Sequence, residues 1–191
     1  MPVEGVSRST PRAHAPRDEH YDAATIWLHW STVALVTILW TLGQVIGWLP
    51  RGPFRSGLWS THVVLGFILA LLLAMRILWR ASYGSALPPA DTGVLNWLAM
   101  GTHYALYLLL FVTVGLGIAN ASYRGYQVYG VLTLPRFGSG DPVTEDSVNS
   151  WHEWAANLTV LLALVHATAA LGHQFIFRDH LLERMRPPGT R

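Results

Sequence analysis

The stretch NSWHEWAANLTVLLALVHATAALGHQF, residues 149–175, holds three histidines and a single charged residue. An apolar run of this length forms a helix able to cross the hydrocarbon core of a bilayer, which takes about 20 residues. Residues 23–49, 57–75 and 92–123 contain no charged side chain. The sequence therefore predicts an all-α integral membrane protein, a four-helix bundle with spans over about 23–49, 57–79, 93–120 and 148–177. Ser147 or Asn149 is the expected cap of the fourth helix.

The composition excludes several kinds of chemistry. No cysteine occurs among the 191 residues, which rules out disulfides, thiolate metal sites and covalent attachment of a c-type haem. All thirteen basic residues are arginine, so mechanisms that need a Schiff-base or P-loop lysine are ruled out as well. Charged residues make up 13% of the chain, about half the usual share, and no basic block typical of nucleic-acid binding is present. The deficit of charge indicates a lipid environment.

The arginines are unevenly distributed between the two ends of the predicted bundle. Nine belong to the two termini and the connection after the second span, whereas the other end has four, namely Arg51, Arg55, Arg124 and Arg136. The positive-inside rule then places both termini in the cytoplasm. We expect residues 1–20 to be a disordered tail that lacks the apolar region of a secretory signal. Residues 21–187 are expected to form one transmembrane domain, followed by a short tail over residues 188–191.

Four histidines are predicted to lie at matched depths in the membrane. His152 and His166 are separated by a rise of ~21 Å and nearly four full turns, so they share a helix face at two heights. With antiparallel helices, His62 lies at the height of His152, and His29 at the height of His166. Two imidazole pairs at two heights are the arrangement that ligates two haem b irons in a helix bundle. His103, near the start of the third span, is the alternative partner of His29.

Other interpretations of these residues stay open. A histidine in a span is often a hydrogen-bonded core residue, and transporter proton relays also use histidine, although they usually include intramembrane Asp or Glu. A non-haem transporter is therefore an alternative to a redox protein. The glycines of the first and third spans indicate either room for a flat macrocycle or ordinary packing of small residues; they are Gly43, Gly47, Gly101, Gly115 and Gly117.

Several motifs, taken together, resemble a known family. They are IWLHW with His29, THVVLG with His62, GTHYALYLLL, YRG at 123–125, SWHEWAAN with His152, LVHATAALGHQF with His166, and RDHLLERMRP. Their order over residues 20–187 is similar to the bacterial cytochrome b561 family of four-helix di-haem membrane proteins.

The resemblance implies a multi-pass protein of the bacterial inner membrane, a set of ligands and an activity. The haem ligands implied are His29, His62, His152 and His166. The activity implied is that of a superoxide oxidase, in which superoxide gives its electron on the periplasmic side and ubiquinone is reduced in the membrane. Relatives that are b-type subunits of hydrogenases and formate dehydrogenases imply the alternative of an electron-transfer subunit with a respiratory partner protein. This chain has no lysine, so an arginine would have to replace any lysine that guides superoxide.

Three further residues are candidates for roles around the haems. Arg124 is the predicted guide for the superoxide anion; a solvated loop arginine or a lipid-headgroup contact is the alternative interpretation. His173 is predicted to meet a haem propionate, a quinone carbonyl or water, and to take part in the proton uptake that quinone reduction requires. Arg76, like Arg80, is predicted to pair with a haem propionate, with the positive-inside signal as the alternative.

Overall fold

The computed structural model describes residues 20–84, 87–88, 92–137, 141–178 and 180–187. The predicted N-terminal tail lies outside these residues except for His20, as does the predicted C-terminal tail. Among the described residues the long helices are α1 (Ala23–Ile46), α2 (Pro53–Ser82), α3 (Gly93–Tyr123) and α4 (Pro142–Gly172). A π-helical turn (His173–Phe177) and a 3-10 turn (Leu181–Met185) follow α4, and two short strands, β1 (Gln127–Val128) and β2 (Leu132–Thr133), pair between α3 and α4.

The four helices run alternately up and down, which gives the bundle two ends. One end, called the terminal face below, carries the start of α1, the end of α2, the start of α3 and the end of α4. Here the Tyr21 amide donates to the Arg184 carbonyl, and the Trp79 indole donates to Asp22. The other end, called the hairpin face, carries the α1–α2 turn, the β1–β2 hairpin and the start of α4. The orientation of these faces in the membrane stays a prediction.

The outer surface of the bundle is apolar. All four helices are long and apolar enough to cross a membrane, and large side chains such as Leu71 and Leu161 project outward with about 60% of their surface exposed. A helix of a water-soluble bundle would place polar side chains there. The predicted fold class, an integral membrane four-helix bundle, is confirmed.

The start of α4 differs from the prediction. Asp141 is the N-cap and accepts hydrogen bonds from the amides of Val143 and Thr144, so the helix begins at Pro142 rather than near Val148. The expected cap at Ser147 or Asn149 is wrong, because the Ser147 hydroxyl donates to the Val143 carbonyl within the helix. Pro142 suits the first helical position, since it has no amide hydrogen to satisfy. Apolar periodicity could not show this turn, because it extends beyond the apolar stretch.

The β1–β2 hairpin is packed against the start of α2. The Tyr129 amide donates to Ser60 Oγ at 2.9 Å, and the Tyr129 and Thr61 hydroxyls are hydrogen-bonded at 2.9 Å. Tyr129 has a left-handed backbone conformation (φ 50°), as do Gly125 and Gly130, which closes the tight turn. The hairpin thereby covers the part of α2 that leads directly into His62.

Candidate functional site

His62 of α2 and His152 of α4 lie close together near the hairpin face. Their ring centroids are 6.3 Å apart and the ring planes are nearly perpendicular. Imidazole nitrogens bind transition metals at about 2 Å, so two imidazoles on opposite sides of one metal atom have centroids roughly 6 Å apart. The spacing of this pair, called the hairpin-face pair below, therefore fits axial ligation of one iron atom.

Two glycines make room for these imidazoles. A Cβ at Gly117 of α3 would lie 2.9 Å from Cε1 of His152, which is closer than real carbon contacts allow. A Cβ at Gly43 of α1 would lie 3.8 Å from Cε1 of His62, which is ordinary van der Waals contact. The position of the His152 ring therefore requires glycine at 117, whereas Gly43 only borders the other ring.

The nitrogens of the pair are also arranged for ligation. His152 Nδ1 lies 2.9 Å from the Thr113 carbonyl; a carbonyl only accepts, so Nδ1 carries the proton and Nε2 keeps its lone pair. Fixing one ring nitrogen in this way is the usual support for a metal-ligating histidine. Nδ1 of His62 is buried, and the backbone of Leu39 on α1 is within electrostatic reach of this imidazole.

Three histidines and an arginine gather nearer the terminal face. The rings of His103 and His166 have centroids 5.1 Å apart, and His29 is within electrostatic reach of both. Arg76 Nη2 donates to His29 Nδ1 at 3.0 Å, and its guanidinium also stacks over the Tyr107 ring. These histidines are called the terminal-face triad below. The structure brings all three together, so the choice between His103 and His166 as partner of His29 stays open.

The triad is less clearly arranged for ligation than the hairpin-face pair. Since Arg76 donates to Nδ1 of His29, the neutral ring carries its proton on Nε2. Ligation through Nε2 requires this bond to break and the proton to move. Among the described residues, no three His, Asp or Glu side chains are placed to hold a bare metal ion. If His29 holds a haem iron through Nε2, its ring must first change tautomer.

Comparison with known proteins identifies the family. A family model described as prokaryotic cytochrome b561 matches residues 20–188. The chain belongs to the prokaryotic cytochrome b561 family. It is 28% identical to a probable superoxide oxidase of Yersinia pestis, over 87% of this chain and 96% of that protein. It is 29% identical to cytochrome b561 homolog 2 of Escherichia coli, over 87% and 91% of the two chains, and 30% identical to cytochrome b562 of Cereibacter sphaeroides, over 88% and 96%.

Membership settles the broad biochemistry. The cytochrome b561 family consists of membrane electron-transfer proteins that bind haem b. Together with four membrane-spanning helices, it makes this cytochrome a multi-pass protein of the bacterial inner membrane, as predicted. Family membership therefore supports an electron-transfer protein and not the alternative of a non-haem transporter.

Arg124 of this cytochrome lies among carboxylates. Its Nη2 is 3.2 Å from Asp146 and its Nη1 is 4.0 Å from Glu145, and 39% of the side chain is exposed. The hairpin face as described has four arginines, Arg51, Arg55, Arg124 and Arg136, and four carboxylates, Asp141, Glu145, Asp146 and Glu153, so its formal charge is zero. The field that Arg124 presents to an anion is therefore partly cancelled.

His173 is the first residue of the π-helical turn. It lies seven residues beyond His166, a rise of about 10 Å, and its ring is 5.2 Å from that of Phe177. Isolated π turns inside helices are frequent at functional sites. The structure places His173 toward the terminal face, beyond the triad.

A polar cluster between α1 and α4 was not among the residues predicted from the sequence. The Trp40 indole and the Gln44 amide both donate to Asn157 Oδ1, at 2.9 and 3.3 Å. An Asn and a Gln inside otherwise apolar spans are the signal that could have found it, since such groups need partners in hydrocarbon. Their meeting depends on which helices are neighbours, which spacing along one span does not show.

Proposed function

We propose that this cytochrome binds two haem b groups and carries electrons across the membrane, from superoxide at the hairpin face to ubiquinone. The observation that carries the proposal is the presence of two separate imidazole sets at different heights, each drawn from different helices. His62 and His152 would hold one haem. His29 and His166 would hold the other, with His103 as the alternative to His166.

The surrounding residues have defined roles in this proposal. Haem b supplies reversible one-electron transfer at its iron. Thr113 fixes the tautomer of His152, and Gly117 leaves space for its ring. Arg76, whose guanidinium already lies among the triad, would neutralise a haem propionate there. Releasing His29 Nδ1 from Arg76 would free that ring to place its lone pair on Nε2.

In this proposal, superoxide is the electron donor at the hairpin face. The superoxide oxidase name of the Yersinia pestis relative supports it. Arg124 is the proposed guide, although Asp146 and Glu145 offset its charge. Arg51 and Arg55 pair with no carboxylate among the described residues, so they carry the free positive charge of this face. A local positive field raises the encounter rate of an anion even where the net charge of a face is zero.

The haem count is tested by visible absorption of the purified, dithionite-reduced protein with a pyridine haemochrome assay. We expect sharp b-type bands and two haems per chain. His152→Ala and His29→Ala should each lower the ratio to one, with loss of different spectral components. His166→Ala and His103→Ala are compared in parallel, and the one that loses haem identifies the partner of His29. A colourless wild-type protein would contradict every redox interpretation.

The donor is tested by stopped-flow mixing of the oxidised protein with superoxide, without any partner protein. Rapid reduction of haem, followed by formation of ubiquinol from added ubiquinone, is the expected result. A haem-replete protein that superoxide does not reduce would instead favour an electron-transfer subunit that takes electrons from a dehydrogenase or hydrogenase. The zero formal charge of the hairpin face makes this alternative worth testing directly.

A further inference from the structure

The turn between α1 and α2 carries two arginines whose charge no described residue neutralises. Arg51 is exposed and makes no hydrogen bond or ion pair with a described residue. Arg55, in the first turn of α2, uses only Nη1, which donates to the Leu49 carbonyl at 3.1 Å. Its Nε and Nη2 have no hydrogen-bond partner among the described residues, so both guanidinium groups have donors left for an anion.

The bond to Leu49 folds the Arg55 side chain back across the turn. Leu49 lies only two residues before Arg51, so the two positive charges belong to the same short segment. Residues 46–59 contain no Asp or Glu, and the ion pairs described at the hairpin face use other arginines. Two like charges without a counter-ion repel each other, and a bound anion would relieve this repulsion.

The depth of Arg55 follows from the length of the apolar part of α2. Residues 56–75 follow it directly and contain no charged side chain. As a helix these residues span about 30 Å, which is the thickness of the hydrocarbon core of a bilayer. Arg55 therefore lies where the hydrocarbon ends and the phosphate groups of lipids begin.

Two aromatic side chains flank the arginines. Trp48 follows the end of α1 and is 83% exposed, and Phe54 is the second residue of α2 and is 72% exposed. Aromatic side chains are enriched at the membrane–water boundary, where the ring contacts both the lipid chains and the headgroups. The turn therefore presents cationic donors beside an apolar surface at the depth of the headgroups.

We propose that the α1–α2 turn binds an anionic phospholipid, with Arg51 and Arg55 on its phosphodiester and Trp48 and Phe54 on its acyl chains. Guanidinium groups suit phosphate oxygens because they donate two parallel hydrogen bonds. A zwitterionic lipid fits less well, because its headgroup also carries an ammonium ion and residues 46–59 have no carboxylate to receive it. The binding of this lipid goes beyond the proposed function and does not depend on it.

One consequence of the lipid does rest on the proposed function. Arg51 and Arg55 carry positive charge that is proposed to attract superoxide, and a bound phosphodiester cancels part of it. Anionic lipid should therefore slow the reduction of haem by superoxide. The lipid composition of the membrane would in this way regulate the rate of electron entry.

Native mass spectrometry tests the binding itself. The purified full-length protein in detergent is titrated with dioleoyl phosphatidylglycerol or dioleoyl phosphatidylcholine, and the lipid adducts are counted. We expect the phosphatidylglycerol adduct to saturate at one molecule per chain while the phosphatidylcholine adduct stays at background. Equal binding of the two lipids would overturn the proposal.

Variants locate the lipid on the turn. Arg51→Gln and Arg55→Gln should each weaken the binding of phosphatidylglycerol about fivefold, as expected for one basic residue at a membrane surface. Arg51 makes no contact that its loss would break, so that variant should fold normally. Arg136→Gln is the matched control, because it removes the same charge from the hairpin face but Arg136 pairs with Glu145. Unchanged binding in the Arg51→Gln/Arg55→Gln double variant, or an equal loss in Arg136→Gln, would overturn the proposal.

Two further outcomes would assign the turn to another ligand. Glycerol 3-phosphate has the phosphate but no acyl chain, so an excess of it should leave phosphatidylglycerol bound. Displacement would show a site for phosphate groups in general and would overturn the assignment to a lipid. A dimer that Arg51→Gln dissociates, without any preference for phosphatidylglycerol, would assign the turn to a second copy of the chain and would overturn it as well.

Stopped-flow mixing with superoxide tests the consequence separately. Haem reduction is compared in nanodiscs of phosphatidylcholine with and without phosphatidylglycerol. Phosphatidylglycerol should slow the wild type more than the Arg51→Gln/Arg55→Gln double variant. Equal slowing of both proteins would show that the charge of the whole bilayer acts, and would refute regulation through the turn. A protein that superoxide does not reduce would refute the proposed function, whereas the lipid adducts would still decide the site.

Discussion

At the scale of single residues, the position of the His152 ring depends on the absence of a side chain at Gly117. The ring of His152 lies where a Cβ on Gly117 would come within 2.9 Å. Gly117→Ala should therefore displace the ring from the Thr113 carbonyl and from His62, and reduce the haem content from two to about one per chain. Overpacking of this kind typically costs about 1–3 kcal/mol.

Gly115 supplies the matched control for that substitution. It lies two residues earlier on α3, and a Cβ there would meet nothing within 4 Å. Gly115→Ala should keep both haems in the pyridine haemochrome assay. If both alanine variants bind haem like the wild type, Gly117 is ordinary packing and His152 does not need this position.

The charges around Arg124 give a second prediction at this scale. Asp146→Asn removes the carboxylate 3.2 Å from its guanidinium, so the local positive potential should rise. We expect superoxide to reduce the haem about two- to threefold faster at low salt, with a steeper decline as ionic strength increases. Stopped-flow rates at two salt concentrations measure this.

Asp141→Asn is the control for Asp146→Asn, since it removes the same formal charge without a contact to Arg124. Asparagine also remains a good N-cap. A smaller effect than that of Asp146→Asn is expected. If the two variants change the rate equally, the overall charge of the face guides superoxide, and Arg124 has no special role.

Much of the site, at residue level, could be predicted from the sequence. The spacing of His152 and His166 fixed their common face, and antiparallel packing paired His62 with His152. The Thr113 carbonyl and the Arg76–His29 bond could not be predicted, because a backbone acceptor has no sequence signal and because a long arginine side chain reaches several positions. The convergence of His103 with His166 also depends on helix rotation, which composition does not determine.

At the scale of helices, the start of α4 shows how a cap extends a span beyond the membrane. The Thr144 hydroxyl and the amides of Thr144 and Val143 bond to Asp141, and these bonds hold the pKa of its carboxyl below the ordinary value. Because the pKa is depressed in the folded protein, the cap stabilises the helix above the ordinary pKa and is lost as pH falls through the folded pKa.

Hydrogen exchange measures this cap directly. Asp141→Ala should lose amide protection over residues 143–147 at pH 7, whereas the wild type should lose it only in acid. Asp141→Asn should stay protected at both pH values, since its side chain does not titrate. The wild type, Asp141→Ala and Asp141→Asn could instead show the same amide protection at pH 7. The ion pairs of Arg124 and Arg136 with Glu145 would then hold this turn without the cap.

The hairpin illustrates what local sequence signals miss at this scale. Strands of two residues have no periodicity to detect. In the structure, Tyr129 is hydrogen-bonded to Ser60 and Thr61 and holds the hairpin on α2. The packing of the hairpin thus depends on contacts distant in sequence.

At the scale of the whole molecule, the bundle is asymmetric between its two ends. The hairpin-face pair has a spacing and a tautomer that suit ligation of a metal, whereas His29 of the terminal-face triad would have to release Arg76 and move its proton to Nδ1 before ligation. Composition alone predicted four spans, because a charge-free stretch of 20 or more residues suits few environments other than a bilayer. It could not predict that α1 and α4 contact each other only sparsely, which depends on how the four helices pack in three dimensions.

The orientation of the bundle decides which side each end serves. Arginine counts predict a cytoplasmic terminal face, and the superoxide proposal needs the hairpin face in the periplasm. The chain has no cysteine, so a single introduced thiol can be labelled without background. Val131 in the hairpin and Glu183 in the 3-10 turn are both exposed. A membrane-impermeant maleimide should label Val131→Cys in cells with a permeabilised outer membrane, and Glu183→Cys only after the inner membrane is broken. The opposite pattern would place the hairpin face in the cytoplasm and would contradict the proposal that superoxide reacts from the periplasm.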